Sequence, residues 1–250
     1  MLTIGWAFAA GAMLRQAERL DVIANNLANA ATAGYKAQAV GFDRLLAAAL
    51  VPTSAFDAPA ATTTVLAART STDFAPGPVL ETGRALDAAI DGPGYFVVQG
   101  PRGPELTRGG AFTRDAQGRL VTLDGLPVLG ADGRPVALPA AGTARLTPDG
   151  TVLVNETPAG QLLLVDVPGV RLGRAAGARF VPAGGTPLAP ASVRLVPGAL
   201  EGANVNPILA LVELVDVLRT YEAAQRAVRQ IDDTVGRAIN DVGRLSGGTA

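Results

Sequence analysis

Apolar positions follow one period at the two ends of the chain and another in its middle. Near the N-terminus, apolar or small residues recur at Trp6, Ala10, Met13, Ala17, Leu20, Ala24 and Leu27. The steps alternate four and three, which places all of them in one heptad seam along a helix. Thr3 is its expected N-cap, and Gly34 its expected stop, because glycine accepts the positive φ at which helices end. At the other end, Asn206-Pro207 predicts a second helix start, a capping side chain followed by a ring whose fixed φ suits the first turn. From there Leu214, Tyr221, Val228, Val235 and Val242 recur at heptad spacing, with Val217, Ala224, Ile231, Ala238 and Leu245 interleaved. Both core positions of a heptad are filled over about five repeats. A helix from Pro207 to about Leu245 would be roughly 58 Å long. Glu222 with Arg226, and Asp233 with Arg237, are i,i+4 pairs in the favourable orientation.

Between the ends the helical period disappears. Tyr95-Phe96-Val97-Val98, Leu120-Val121-Thr122-Leu123, Thr151-Val152-Leu153-Val154 and Leu162-Leu163-Leu164-Val165 are short strand-like runs. Gly92-Pro93-Gly94, Asp124-Gly125, Asp132-Gly133 and Asp149-Gly150 punctuate them as turns. The predicted organisation is an N-terminal helix and following segment over 1–50, a linker rich in Ala, Thr and Pro over 51–75, a β-rich domain over 76–200 and a C-terminal helix over 201–250. The fold class is α+β: an antiparallel β domain inserted between N- and C-terminal helices that form a coiled-coil-like axial domain. An unpaired heptad seam would expose apolar surface, so the helices are expected to pair with each other or with neighbouring copies.

Composition narrows the function. Hydrophobic residues make up 48% of the 250, enough for a packed core. Charges nearly cancel, with 21 basic against 22 acidic residues. No field or basic run directs the chain to nucleic acid or an anionic membrane. No segment approaches the ~20 consecutive apolar residues of a membrane span. Ile4 to Leu14 is apolar, but no charged side chain precedes it and Gly5 and Gly11 interrupt it. The small-residue triplet Ala28-Asn29-Ala30 is separated from it by the polar stretch Arg15 to Asp21, so a cleaved signal peptide is not expected.

The chain has no cysteine and no histidine. That removes disulfides, thiolate nucleophiles and metal ligands, and the usual general base near neutral pH. Asp87 and Asp91 have the spacing of paired carboxylates, but they flank Ala88-Ala89-Ile90 before a Gly-Pro-Gly turn and read as structural. Asp232-Asp233 reads as a solvated helix face. Asp132-Gly133 is followed by Arg134-Pro135-Val136-Ala137-Leu138, without the oxygen ligands of a calcium loop. Neither Gly92-Pro93-Gly94 nor Gly109-Gly110 has the flanking residues of a phosphate cradle. Ser and Thr are present without a histidine or a Ser-x-x-Lys to activate them. Lys36 is the sole lysine and follows a Gly-aromatic pair, a poor setting for catalysis. No cofactor, metal, catalytic residue or small-molecule substrate is predicted.

Three stretches carry a family resemblance. The first is Asn25-Asn26-Leu27-Ala28-Asn29-Ala30-Ala31-Thr32-Ala33-Gly34-Tyr35-Lys36. The second runs from Thr82-Gly83 through Leu86-Asp87-Ala88-Ala89-Ile90-Asp91-Gly92 to Gly94-Tyr95-Phe96-Val97-Val98, then Thr107-Arg108-Gly109-Gly110-Ala111-Phe112 and Gly118-Arg119-Leu120-Val121-Thr122. The third is Gly198-Ala199-Leu200-Glu201-Gly202-Ala203-Asn204-Val205-Asn206-Pro207, followed by Arg219-Thr220-Tyr221-Glu222. In this order they resemble the flagellar rod and hook protein family over most of the chain. The resemblance implies a non-enzymatic structural subunit of the bacterial flagellar basal-body rod, exported by the flagellar type III apparatus without a cleaved signal peptide. It implies assembly in the periplasmic rod through the terminal helices, with itself and other rod subunits as partners, and transmission of torque for motility. The start of the last helix is most similar to proximal-rod members, with distal-rod members next. Candidate assembly residues are Asn25, Asn26, Leu27, Asn29 and Gly34 in the first motif, and Leu214, Tyr221, Val228, Ile231, Val235 and Val242 on the last helix. A secreted β-domain adhesin or binding module with a helical stalk is the alternative from another class, although aromatic residues are only 4% of the chain.

Overall fold

A computed structural model describes residues 2–47, 63–139, 141–168, 172–182, 189–190 and 193–246. The chain folds as two compact units, each assembled from separate stretches of sequence. The first comprises Met1–Leu27, Gln38–Thr72 and Pro207–Ala250, and the second Ala28–Ala37 with Asp73–Asn206. The architecture is mostly β-sheet with a helix near each terminus.

In the first unit, helix α1 spans Leu2–Ala28 and helix α2 spans Pro207–Ser246. Among the described residues, no helix is long and apolar enough to cross a membrane. Two sequence-based expectations about α1 need correction. Thr3 lies inside the helix, which already begins at Leu2, so it is not the N-cap. The helix ends at Ala28, well before Gly34, where a turn closes from Thr32 N–H to the Asn29 carbonyl at 3.0 Å. α2 starts at Pro207 as the Asn-Pro signal predicts. Among the described residues, neither Glu222–Arg226 nor Asp233–Arg237 closes as an ion pair, and Glu213 of α2 pairs with Arg19 of α1 at 2.6 Å.

The same unit holds a long hairpin. Gln38–Ala47 pairs antiparallel with Thr63–Thr72 in unbroken register, from Gln38 opposite Thr72 to Ala47 opposite Thr63. The expected linker over 51–75 is therefore a strand over much of its second half, while its portion from 51 to 62 lies outside the described residues. The Asn26 side chain serves the base of this hairpin: its Oδ1 accepts the Gln38 N–H and its Nδ2 donates to the Gln38 carbonyl, both at 2.8 Å. An amide side chain thus supplies the two bonds that a neighbouring strand would supply.

The second unit is the β-rich one. Its largest sheet has six strands in the order Leu172–Arg174, Arg179–Pro182, Gly103–Thr107, Tyr95–Gly100, Leu164–Asp166 and Ala189–Pro190. Among the described residues, its neighbouring strands pair antiparallel throughout. A smaller sheet orders Thr157–Gln161, Thr151–Val154 and Ala144–Leu146. Short two-stranded ladders join Arg194–Pro197 to Ala88–Asp91, Ala199–Glu201 to Val79–Glu81, and Phe112–Arg114 to Leu120–Thr122.

The uninterrupted run Tyr95-Phe96-Val97-Val98 follows from burial on both faces. Phe96 and Val98 enter one core with Phe112, Leu120, Val128 and Val152, whereas Tyr95 and Val97 enter another with Leu106, Val165 and Phe180. A strand covered on both sides needs no polar alternation. The Asp-Gly pairs are turns as predicted: Gly125, Gly133 and Gly150 have positive φ and donate N–H to the carbonyls of Thr122, Gly130 and Thr147. Asp87 is buried and structural, its Oδ2 accepting the Thr82 hydroxyl at 2.8 Å.

Candidate functional site

A dense polar constellation in the β-rich unit surrounds Lys36. Three stretches distant in sequence converge there: Gly34 to Ala37, Asp73 to Gly77, and Glu201 to Asn204. Lys36 is 1% exposed and donates from Nζ to Glu201 Oε1 at 2.5 Å and to the Ala75 carbonyl at 2.7 Å. Glu201, also buried, takes Arg108 Nη1 on its second oxygen at 3.2 Å and the Gly77 N–H on its first at 3.1 Å. Arg108 donates onward to the Gly92 carbonyl at 2.8 Å and lies 5.3 Å from the centre of the Tyr95 ring. One carboxylate therefore faces two cations inside the fold, and backbone groups complete the shell. Charges so buried persist only when paired and hydrogen-bonded.

The residues on either side explain why the cluster forms. Gly34 has φ +69°, and a Cβ there would stand 2.2 Å from the Gly109 nitrogen. Only glycine lets the segment lie against the Arg108-Gly109 backbone while its N–H reaches the Glu201 carbonyl at 2.7 Å. Tyr35 is fully buried, with the Arg174 guanidinium 4.7 Å from its ring centre. Arg174 also donates to the Lys36 carbonyl. Burial pushes the Tyr35 phenol above its ordinary value, opposed by the nearby Arg174, and burial likewise raises Tyr95, opposed by Arg108. Nothing in this setting resembles a catalytic base with an open approach. It is a buried clamp.

The predicted assembly residues fall into separate settings. In the first motif Asn26 holds the hairpin base, Asn29 accepts a bond from the Thr32 hydroxyl at 3.3 Å, and Gly34 belongs to the clamp. Asn25 is exposed and Leu27 half-buried. On α2, Leu214, Tyr221, Val228 and Val235 are half-buried and Val217 is 2% exposed. The side chains of Ile231 and Val242 lie outside the described residues. Flanking these positions, Leu211, Val212, Val215 and Leu218 are exposed large apolar side chains. The clamp was missed by sequence reasoning. Its traces were a solitary lysine in an arginine-rich chain and a Leu-Glu-Gly-x-Asn motif far downstream, both visible without any sign that they meet.

These three motif regions coincide with three family matches. Residues 7–36 match the flagella basal body rod protein model, residues 89–154 the flagellar hook protein FlgE/F/G D1 domain, and residues 196–241 the flagellar basal body rod FlgEFG protein C-terminal model. Across nearly its whole length the chain is 32% identical to the flagellar basal-body rod protein FlgF of Mesorhizobium japonicum, covering 95% of this chain and 97% of that one. The chain belongs to the flagellar basal-body rod protein family. It is also 32% identical to FlgF of Escherichia coli, over 92% of this chain and 94% of the relative. FlgG of Agrobacterium fabrum is 33% identical over 91% of this chain and 95% of its own length. The role these likenesses support is that of a structural subunit of the basal-body rod, and the adhesin alternative is not favoured. Within this family frame, the clamp joins the first family-matched region, through Lys36, to the last, through Glu201.

Proposed function

We propose that this chain is a proximal-rod subunit that assembles through its terminal helices with copies of itself and with other rod subunits. The observation that carries this reading is the end-to-end likeness to FlgF proteins from different bacteria. Exposed Leu211, Val212, Val215 and Leu218 on α2 support it, because apolar side chains at heptad-rich positions gain free energy when helices bundle in coiled-coil fashion. In this reading Asn25, Asn26, Leu27, Asn29 and Gly34 shape the N-terminal part of the axial region, and Leu214, Tyr221, Val228, Ile231, Val235 and Val242 form the seam of the C-terminal part. The subunit leaves the cytoplasm through the flagellar export apparatus without a cleaved signal peptide, assembles in the periplasmic rod and transmits torque. It performs no catalysis and engages neither nucleic acid nor a small-molecule substrate.

The test is Val228→Asp in cells lacking the native protein. The expected result is loss of rods and motility while the purified variant keeps the β-sheet signature of the wild type. Normal basal bodies carrying the variant would overturn the axial-helix reading. The likeness to FlgG favours a distal-rod placement as the second reading. Labelled subunits in isolated basal bodies would separate the two: label at the cell-proximal end supports the first and label toward the hook the second.

A further inference from the structure

The chain crosses between its two units after residues 27, 37, 72 and 206. Next to three of these crossings lie Ala37, Asp73 and Asn204, and the three are bonded in a closed ring. Asn204 Oδ1 accepts the Ala37 N–H at 2.6 Å, Asn204 Nδ2 donates to the Asp73 carbonyl at 2.9 Å, and the Asp73 N–H donates to the Ala37 carbonyl at 2.8 Å. The ring is fastened beneath by the buried Lys36–Glu201 pair, by the bond from Gly34 to the Glu201 carbonyl, and by the Asn204 N–H on the Tyr35 carbonyl at 3.3 Å. Lys36 Nζ and Asn204 Nδ2 also share the Ala75 carbonyl as acceptor, at 2.7 and 3.2 Å.

We propose that Asn204 and the Lys36–Glu201 pair form a conformational latch that orders the bases of the hairpin and of α2 as a single step. A single side-chain amide holds two of the crossings directly, and the third bond of the ring ties those two to each other. Losing the Asn204 amide breaks two of the ring's three bonds at once, together with its bond to the Ala75 carbonyl, so loosening at one crossing reaches the others. The residues of the ring come from both halves of the sequence, separated by most of the chain. The latch therefore closes only when the N-terminal and C-terminal portions are both present and folded. A subunit lacking either end would have the other loosened at its base. This holds whether or not the assembly role proposed above is correct, since the coupling lies within one chain.

Hydrogen exchange on the purified full-length chain carrying Asn204→Ala tests the latch. Exchange is expected to rise about tenfold or more at Tyr35 to Gln38, at Asp73 to Gly77 and at Glu201 to Val205 together, and to extend to Leu211 through Leu214 on α2. Tyr95 to Gly100 and Phe112 to Arg114 should keep their protection. Faster exchange confined to Ala203 to Val205 would overturn the latch and reduce Asn204 to a local turn residue. An even rise across the β-rich unit would also overturn it, as a general loss of stability. Should Asn204→Ala fail to fold, Asn204→Asp is scored by the same pattern, since it keeps the acceptor to Ala37 and loses the two donated bonds.

Discussion

The β-rich unit and α2 of the helical unit treat the same kind of side chain in opposite ways. Phe96, Phe112 and Leu120 are fully buried between strands, whereas Val212 on α2 is 64% exposed and Leu211 50%. The β-rich unit is finished by its own residues: its central strand Tyr95–Gly100 is covered on both faces, and its buried charges meet inside it. α2 has apolar side chains in contact with water over its first turns. A free-standing protein rarely keeps large apolar side chains grouped on one exposed element. The contrast separates what stabilises the single chain from what is available to a neighbour.

The largest expected effect is at the clamp. Glu201→Ala leaves Lys36 and Arg108 buried without their carboxylate and should lower the stability of the β-rich unit by about 3–5 kcal/mol. Urea denaturation followed by circular dichroism measures it, and a loss below about 1 kcal/mol would mean that water reaches the cations. A matched pair of truncations sharpens the contrast next. Leu120→Ala should cost about 2–5 kcal/mol through the cavity it leaves. Leu211→Ala, the same chemical change on an exposed helix face, should stay within about 0.5 kcal/mol in the isolated chain. Equal losses would show that α2 is already packed in solution.

The smallest effect is at high pH. Burial raises the folded Tyr35 phenol above its ordinary value of 10.0 despite the nearby Arg174. A raised folded value favours the protonated form in the native state. Its contribution is therefore fully present below the unfolded value and is lost as pH rises from about 10 through the folded one. Tyr35→Phe should flatten the alkaline loss of stability measured across that window. An unchanged profile would assign the loss to other groups, Tyr95 first among them.

The parts of this fold that were legible in the sequence are those specified by near neighbours. The Asn-Pro start of α2, the Asp-Gly turns and the runs at Tyr95 and Thr151 each carry their own period or turn chemistry. Thr63–Thr72 carried none. Its alanines and threonines have little hydrophobic contrast, and its strand identity comes from a partner across the chain in Gln38–Ala47. Gly34 reads from the sequence as a residue needing positive φ, and it has one, but that φ serves a close backbone approach rather than the helix end. The clamp was the least legible. Lys36, Arg108 and Glu201 lie too far apart for any spacing rule, and only the folded chain places one carboxylate between two cations.

The burial of Lys36 has a chemical consequence for anyone handling the protein. It is the only lysine of the chain, and its ε-amine is sealed against Glu201. The folded surface thus offers acylating dyes, amine crosslinkers and acetyl donors no lysine to modify. Its positive charge is carried instead by guanidinium groups, which hold their protons at any ordinary pH. Acylation at Lys36, read as a mass increment on one tryptic fragment, would register each opening of the interior as a covalent mark, a clock for breathing that the sequence itself supplies.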